Sequence, residues 1–259
     1  MNQNKSSIRS RTERFVIILI PFIFSGLLLF SQNSRSSSEA ATRLYSEGIS
    51  LFDAGNWGSA LHKFEELQSK NSGLLSDAAA YYIAASRLEL GNSNGEAELK
   101  KFIEDQPESP LKNSALFRLA NLSFNHKKYK EALQLYQQLE TASLTATEQE
   151  KYLYYSGVSL LETGENAKAK SNFDQIRGKK STLGDGAKYY WAHISYMEGH
   201  YDEALTEFRK LENNPAYFKL IPYYQVQINF AKGSYQEVLD QGAPLLAKAP
   251  DDRKFELAR

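Results

Sequence analysis

The chain has 259 residues, 31 basic against 31 acidic side chains, an apolar fraction of 42% and no cysteine. Balanced charge, with no Lys/Arg cluster beyond the extreme N-terminus, leaves no face for neutralising phosphates, so nucleic acid is not expected as a partner. Without cysteine there is no disulfide, no thiolate nucleophile, no cysteine-built zinc site and no residue to carry an N-terminal lipid.

At the N-terminus, Lys5, Arg9, Arg11 and Arg14 precede sixteen uncharged residues, Phe15 to Phe30, the layout of an export segment. As a helix these would reach about 24 Å against a hydrocarbon core of about 30 Å, and Pro21 and Gly26 interrupt them. Residues 1–31 are therefore expected to be a cleavable signal peptide, with an uncleaved signal anchor as the alternative. In both cases the positive flank stays in the cytoplasm and the body lies outside the cytoplasmic membrane, in the periplasm if the cell is Gram-negative. Gln32 to Ser38, nearly all Ser, Asn and Gln, reads as a flexible spacer running to residue 40.

From Ala41 onward a short pattern returns every 34 to 37 residues, which makes the chain a repeat array. A glycine (Gly55, Gly91, Gly164, Gly199, Gly233) ends an apolar-periodic run, where a residue without Cβ can take the left-handed conformation that closes a helix. An aromatic follows two residues later (Trp57, Tyr129, Tyr201, Tyr235), then a small residue (Ala60, Ala132, Ala169, Ala204) that lets two helix axes approach. Another small position precedes each turn: Gly48, Ala84, Ala120, Gly157 and Ala192, with Val226 in the last unit. Glycine inside a helix costs about 1 kcal/mol against alanine, so Gly48 and Gly157 imply close packing that offsets it. Six helical hairpins fit between residues 41 and 250. The second is irregular, with its turn over Gly91 to Ala97 and Lys101 where an aromatic is expected, and the fourth has Asn166 in place of the turn aromatic.

These residues resemble the tetratricopeptide repeat family, and Phe102 to Ser109 resembles the link between repeats in bacterial cell-envelope proteins of that family. The resemblance implies an all-α fold: a right-handed superhelical solenoid of about six helix-turn-helix repeats, whose first helices line a concave groove. It also implies a non-enzymatic interaction scaffold that binds a peptide or helix of another protein, here one of the cell envelope. Membrane contact is expected only through the N-terminal segment. The rival reading is a structural repeat module of a larger envelope protein, with no ligand of its own.

On the first helices an aromatic recurs at Tyr45, Tyr81, Phe117, Tyr154, Tyr189 and Tyr223. Seven residues on, nearly the same helical face carries Phe124 and Tyr196 among other apolar side chains. Between them, Asn121, His193 and Gln227 are polar and flanked by aromatics. The resemblance places all these positions in the partner-binding groove, whereas aromatics at helical spacing also serve simply as packing residues.

No catalytic chemistry emerges. His62, His126, His193 and His200 fall in different units without carboxylates at ligand spacing, so neither a metal nor another cofactor is expected. Gly91 to Gly95 and Gly184 to Gly186 lack the residues of a phosphate loop and read as inter-helix turns; carboxylates such as Glu65 and Glu66 read as solvated helix faces. Residues 251–259, with Phe255, Leu257 and Ala258, begin a further helix or form a C-terminal cap.

Overall fold

The computed structural model describes residues 37–70 and 73–248. The expected signal segment and the start of the final helix lie outside the described residues. Within them every regular element is helical, and the order is that of six hairpins. The first helix, α1, covers residues 37–53 and begins inside the stretch expected to be spacer, because Glu39, Ala40 and Ala41 favour helix where the preceding serines do not. It pairs with α2 (Trp57–Ser69). Then come α3 (Ser76–Glu89) with α4 (Asn94–Asp105), α5 (Lys112–Asn125) with α6 (Tyr129–Tyr136), and α7 (Ala146–Glu162) with α8 (Asn166–Asp174). The last two pairs are α9 (Thr182–Met197) with α10 (Tyr201–Arg209) and α11 (Ile221–Ala231) with α12 (Tyr235–Lys248).

The turns form for the reason the sequence states. Gly55, Gly91, Gly164, Gly199 and Gly233 all have φ between 73° and 86°. At Gly199 the backbone N–H of His200 reaches back to Ser195 O at 2.8 Å and that of Gly199 to Tyr196 O at 3.0 Å, which satisfies carbonyls left over at the helix end. The third hairpin has no glycine there, and Lys127 takes the left-handed conformation at φ 58°. Helix α7 starts with a reciprocal cap: Thr145 Oγ1 accepts from Glu148 N while Thr145 N donates to Glu148 Oε2 at 2.9 Å.

The chain divides into two compact units, residues 1–115 and 116–259, the boundary falling in the first turn of α5. In the first unit, the ring of Phe64 on α2 is fully buried. It stacks on Tyr82 of α3 at 4.7 Å and 11°, and Tyr45 meets it edge-on at 6.2 Å. Gly48 is small for cause, since a Cβ there would stand 2.7 Å from the Phe64 ring. The irregular hairpin resolves by a shift of register. Phe102, not Lys101, fills the aromatic position at 5% exposure, while Gly95 is buried and Ala97 exposed. Gly95 lies so close to the Leu88 backbone that a Cβ would come within 2.4 Å. Arg87 ties α3 to both neighbours, through Glu98 at 2.5 Å and Glu65 at 2.8 Å.

In the second unit the same device repeats. Phe173 of α8 is buried, stacked on Tyr190 of α9 at 5.3 Å and 16°; Phe208 of α10 is buried, stacked on Tyr224 of α11 at 4.7 Å and 16°. A Cβ at Gly157 would meet Phe173 at 2.8 Å. Gly184 and Gly186, read above as an inter-helix turn, instead lie inside the first turns of α9. A side chain at Gly184 would strike Lys179 O, and one at Gly186 the Tyr154 ring. The pair is there for close approach, and the helix starts earlier because Ser181 caps it, accepting from Gly184 N at 2.9 Å.

Candidate functional site

Of the residues singled out on the first helices, Tyr45 and Tyr81 belong to the first unit and the rest to the second. Tyr81 and Phe117 are buried, at 2% and 7% exposure, and present no surface. Tyr81 packs on Phe102 with ring centroids 5.6 Å apart. Tyr45 is half-buried against Phe64 and Tyr82.

In the second unit Asn121 is half-buried, its Oδ1 already accepting from the Tyr136 hydroxyl at 2.7 Å. Phe124 lies 4.5 Å from the Tyr155 ring. Tyr154 contacts Phe173 at 6.2 Å and Tyr190 at 6.1 Å, and burial pushes its hydroxyl above the usual tyrosine range.

The densest cluster gathers on α9 and α11. Tyr189, His193 and Tyr196 are spaced four and three residues apart, as are Tyr223, Gln227 and Phe230, so each trio shares one helical face. Tyr189 stacks on Tyr217 at 5.0 Å and meets Tyr224 edge-on at 6.0 Å, and the hydroxyls of Tyr189 and Tyr224 share a hydrogen bond of 3.1 Å. His193 lies parallel to Tyr189 at 6.2 Å and edge-on to Tyr224 at 5.6 Å. Burial lowers the pKa of its imidazole, so the ring is neutral near pH 7, and Nδ1 is buried without a hydrogen-bond partner among the described residues. Tyr196 and Tyr223 are half-buried; Gln227 is exposed, as is Phe230 at 59%. The face therefore offers aromatic area with hydroxyl, imidazole and amide groups set into it, a surface suited to apolar side chains on a polar backbone. Nothing in it pairs a nucleophile with a base. Among the described residues no group of three or more His, Asp or Glu could hold a metal ion.

Two features escaped the sequence reading. In three of the four tyrosine doublets the second ring (Tyr82, Tyr190, Tyr224) stacks on the preceding hairpin's phenylalanine, while the first tyrosine (Tyr81, Tyr154, Tyr189) meets the phenylalanine on the second helix of its own hairpin. The doublets were visible as Tyr81-Tyr82, Tyr154-Tyr155, Tyr189-Tyr190 and Tyr223-Tyr224. Charges spread along the second unit also converge. Arg177, Lys179, Lys180, Lys188 and Lys210 line a cleft of about 530 Å³ together with Asp174, Asp185 and Glu207. The acids are engaged: the buried Glu207 accepts from Arg177 at 2.6 Å and Lys210 at 2.7 Å, and Asp185 from Lys188 at 3.0 Å. The network joins the fourth hairpin to the fifth, and Arg177 lies over the Trp191 ring at 4.4 Å.

Hairpins closed by left-handed glycines and joined by ring stacks define a helical repeat protein. The chain belongs to the family described as tetratricopeptide repeat-like domain, whose sequence model matches residues 12–176. No curated protein matches. Solved structures of similar fold include a tetratricopeptide repeat protein from Parabacteroides merdae, 17% identical over 85% of this chain and 84% of that one, with a TM-score of 0.53. PilF of Pseudomonas aeruginosa is 15% identical over 85% and 97%, with a TM-score of 0.57. PilW, described as a widely conserved type IV pilus biogenesis factor, is 13% identical over 84% and 97%, with a TM-score of 0.51. At such identities the likeness is one of fold.

Proposed function

We propose that this chain is a non-enzymatic scaffold outside the cytoplasmic membrane that holds a peptide or helix of another envelope protein on the face formed by α9 and α11. The observation that carries the reading is the cluster of Tyr189, His193, Tyr196, Tyr223 and Gln227, with a buried imidazole nitrogen left unpaired beside partly exposed aromatic rings. A buried polar atom without a partner is costly, and a ligand that supplies one gains accordingly. The basic flank before Phe15 to Phe30 supports the location. The family match begins at residue 12 and so takes in that apolar stretch. No described helix is itself long and apolar enough to cross a membrane.

A structural module without a ligand is favoured by one fact: the Tyr189 hydroxyl is already bonded to Tyr224. Gln227 separates the readings because it is exposed and outside the ring stack. A segment captured from envelope fractions should bind the Gln227→Arg variant about tenfold more weakly than the native chain, since leaving a charge unpaired in a desolvated contact costs about 1–3 kcal/mol and tenfold is about 1.4 kcal/mol. Melting should stay unchanged. Equal affinities would favour the structural module.

A further inference from the structure

We infer that the basic cleft joining the fourth and fifth hairpins is a docking site for an acidic peptide segment, one that carries a run of Asp or Glu side chains. The cleft, of about 530 Å³, opens between the turn that follows α8, the first turns of α9 and the C-terminal end of α10. Its acceptors are used up inside the protein. Asp174 accepts from Arg177 Nε at 2.7 Å, and Oε1 of Glu207 takes both Arg177 and Lys210. Asp185 is filled on both oxygens, by Lys188 at 3.0 Å and by Asn214 Nδ2 at 2.8 Å.

Its donors are not used up. An ammonium group carries three N–H donors, and none of the four lysines has more than one carboxylate partner among the described residues. Lys179 has only Glu150, at 3.4 Å, and Lys180 has none. Lys188 carries the imbalance into the protein: its side chain is only 16% exposed, and a lysine held so far from water gains from every added acceptor. Five cations face three acids in the lining, or four with Glu150. Such a surface selects a ligand that brings acceptors and negative charge alone, as an ionised carboxylate does.

The placement of the cations favours spaced carboxylates over one compact phosphate. The fork that grips phosphate with two parallel bonds is an arginine's, and Arg177 is already committed to Asp174 and Glu207 and lies over Trp191 at 4.4 Å. The remaining cations are lysines, point charges set on three elements: the turn after α8 (Lys179, Lys180), α9 (Lys188) and the end of α10 (Lys210). Carboxylates strung along a peptide can meet them one by one. The cleft is distinct from the face on α9 and α11, and the inference does not rest on that face holding a ligand.

Calorimetric titration of the full chain with hexaglutamate, acetylated and amidated at its ends, tests it. Saturable binding of one peptide per chain is expected, weakening as salt is added. Lys179→Glu with Lys180→Glu should weaken it by about tenfold, because each reversal exchanges an attraction for a repulsion of similar size. Lys128→Glu with Lys130→Glu, which takes the same net charge from the start of α6, should change it by less than about threefold, since distant exposed charges are screened. All four lysines are exposed, so neither pair of changes disturbs the packed core. Absence of saturable binding would overturn the inference, and so would equal losses in the two variants, which would mean attraction to net charge alone. Inorganic phosphate that displaces the peptide at matching concentration would also overturn it, as a compact anion site. The same holds if phosphatidylglycerol vesicles bind through Lys179 and Lys180 and the peptide does not.

Discussion

Single residues in this chain are chosen against their intrinsic preferences wherever two helices meet. Gly157 would gain about 1 kcal/mol of helix propensity as alanine. The added methyl, however, would stand 2.8 Å from Phe173, a ring that is fully buried and stacked on Tyr190. Overpacking of this kind costs about 1–3 kcal/mol, so Gly157→Ala should lower the melting temperature. Lys127 is the opposite case. Its φ of 58° is strained for a side chain with Cβ, and no other described non-glycine residue has a positive φ. Lys127→Gly should therefore stabilise by about 0.5–1 kcal/mol, read as a higher denaturant midpoint at unchanged slope. His193 sets a pH dependence. Burial lowers its pKa from the ordinary 6.5, so the unfolded chain takes up the proton first as pH falls. The stability it protects is complete above about 6.5 and is lost progressively below, down to the depressed folded value. The His193→Gln variant should lose this part of the decline in thermal melts between pH 7 and 5.

At the level of helices and hairpins, what the sequence made legible were the demands local to one turn. A left-handed glycine, an aromatic two residues on and a small residue after it are requirements of a single hairpin, and they stand within ten residues of one another. The same reading placed the turn of the second hairpin but left Lys101 at its aromatic position, because whether Lys101 or Phe102 faces inward depends on where α4 begins. It also assigned the tyrosine stripe without dividing it. That Tyr190 stacks on Phe173 and Tyr189 does not is fixed by how one hairpin rotates on the next, which no local pattern encodes. Tyr190→Ala should thus cost about 3 kcal/mol, through loss of a stacked ring between hairpins. Glu207 was equally hidden among the acids of a helix face. Held by Arg177 and Lys210, it links residues thirty apart in sequence. Glu207→Gln should cost about 2 kcal/mol by weakening two charge-assisted bonds, and calorimetry would check it.

Across the whole molecule, stability is approximately a sum over hairpins and the contacts between neighbours, because among the described residues the main helix contacts run between elements close in sequence. The second unit, residues 116–259, holds more complete hairpins than residues 1–115. It should therefore outlast the first in denaturant. The candidate site follows the same logic. Its residue types were visible in advance, but their division into buried packing (Tyr81, Phe117) and accessible surface (Gln227) was not. That distinction is set by which hairpin covers which.

The two tryptophans turn this architecture into an optical instrument. Trp57 opens α2 in the first unit, and Trp191 lies in the second beneath Lys170 and Arg177, 4.7 Å and 4.4 Å from its ring centre. Each unit thus contains one indole fluorophore, and the one in the second unit sits at the seam between the fourth and fifth hairpins. With Trp57→Phe and Trp191→Phe in hand, emission alone would follow the melting of each half in turn, with no extrinsic dye and no cysteine to label.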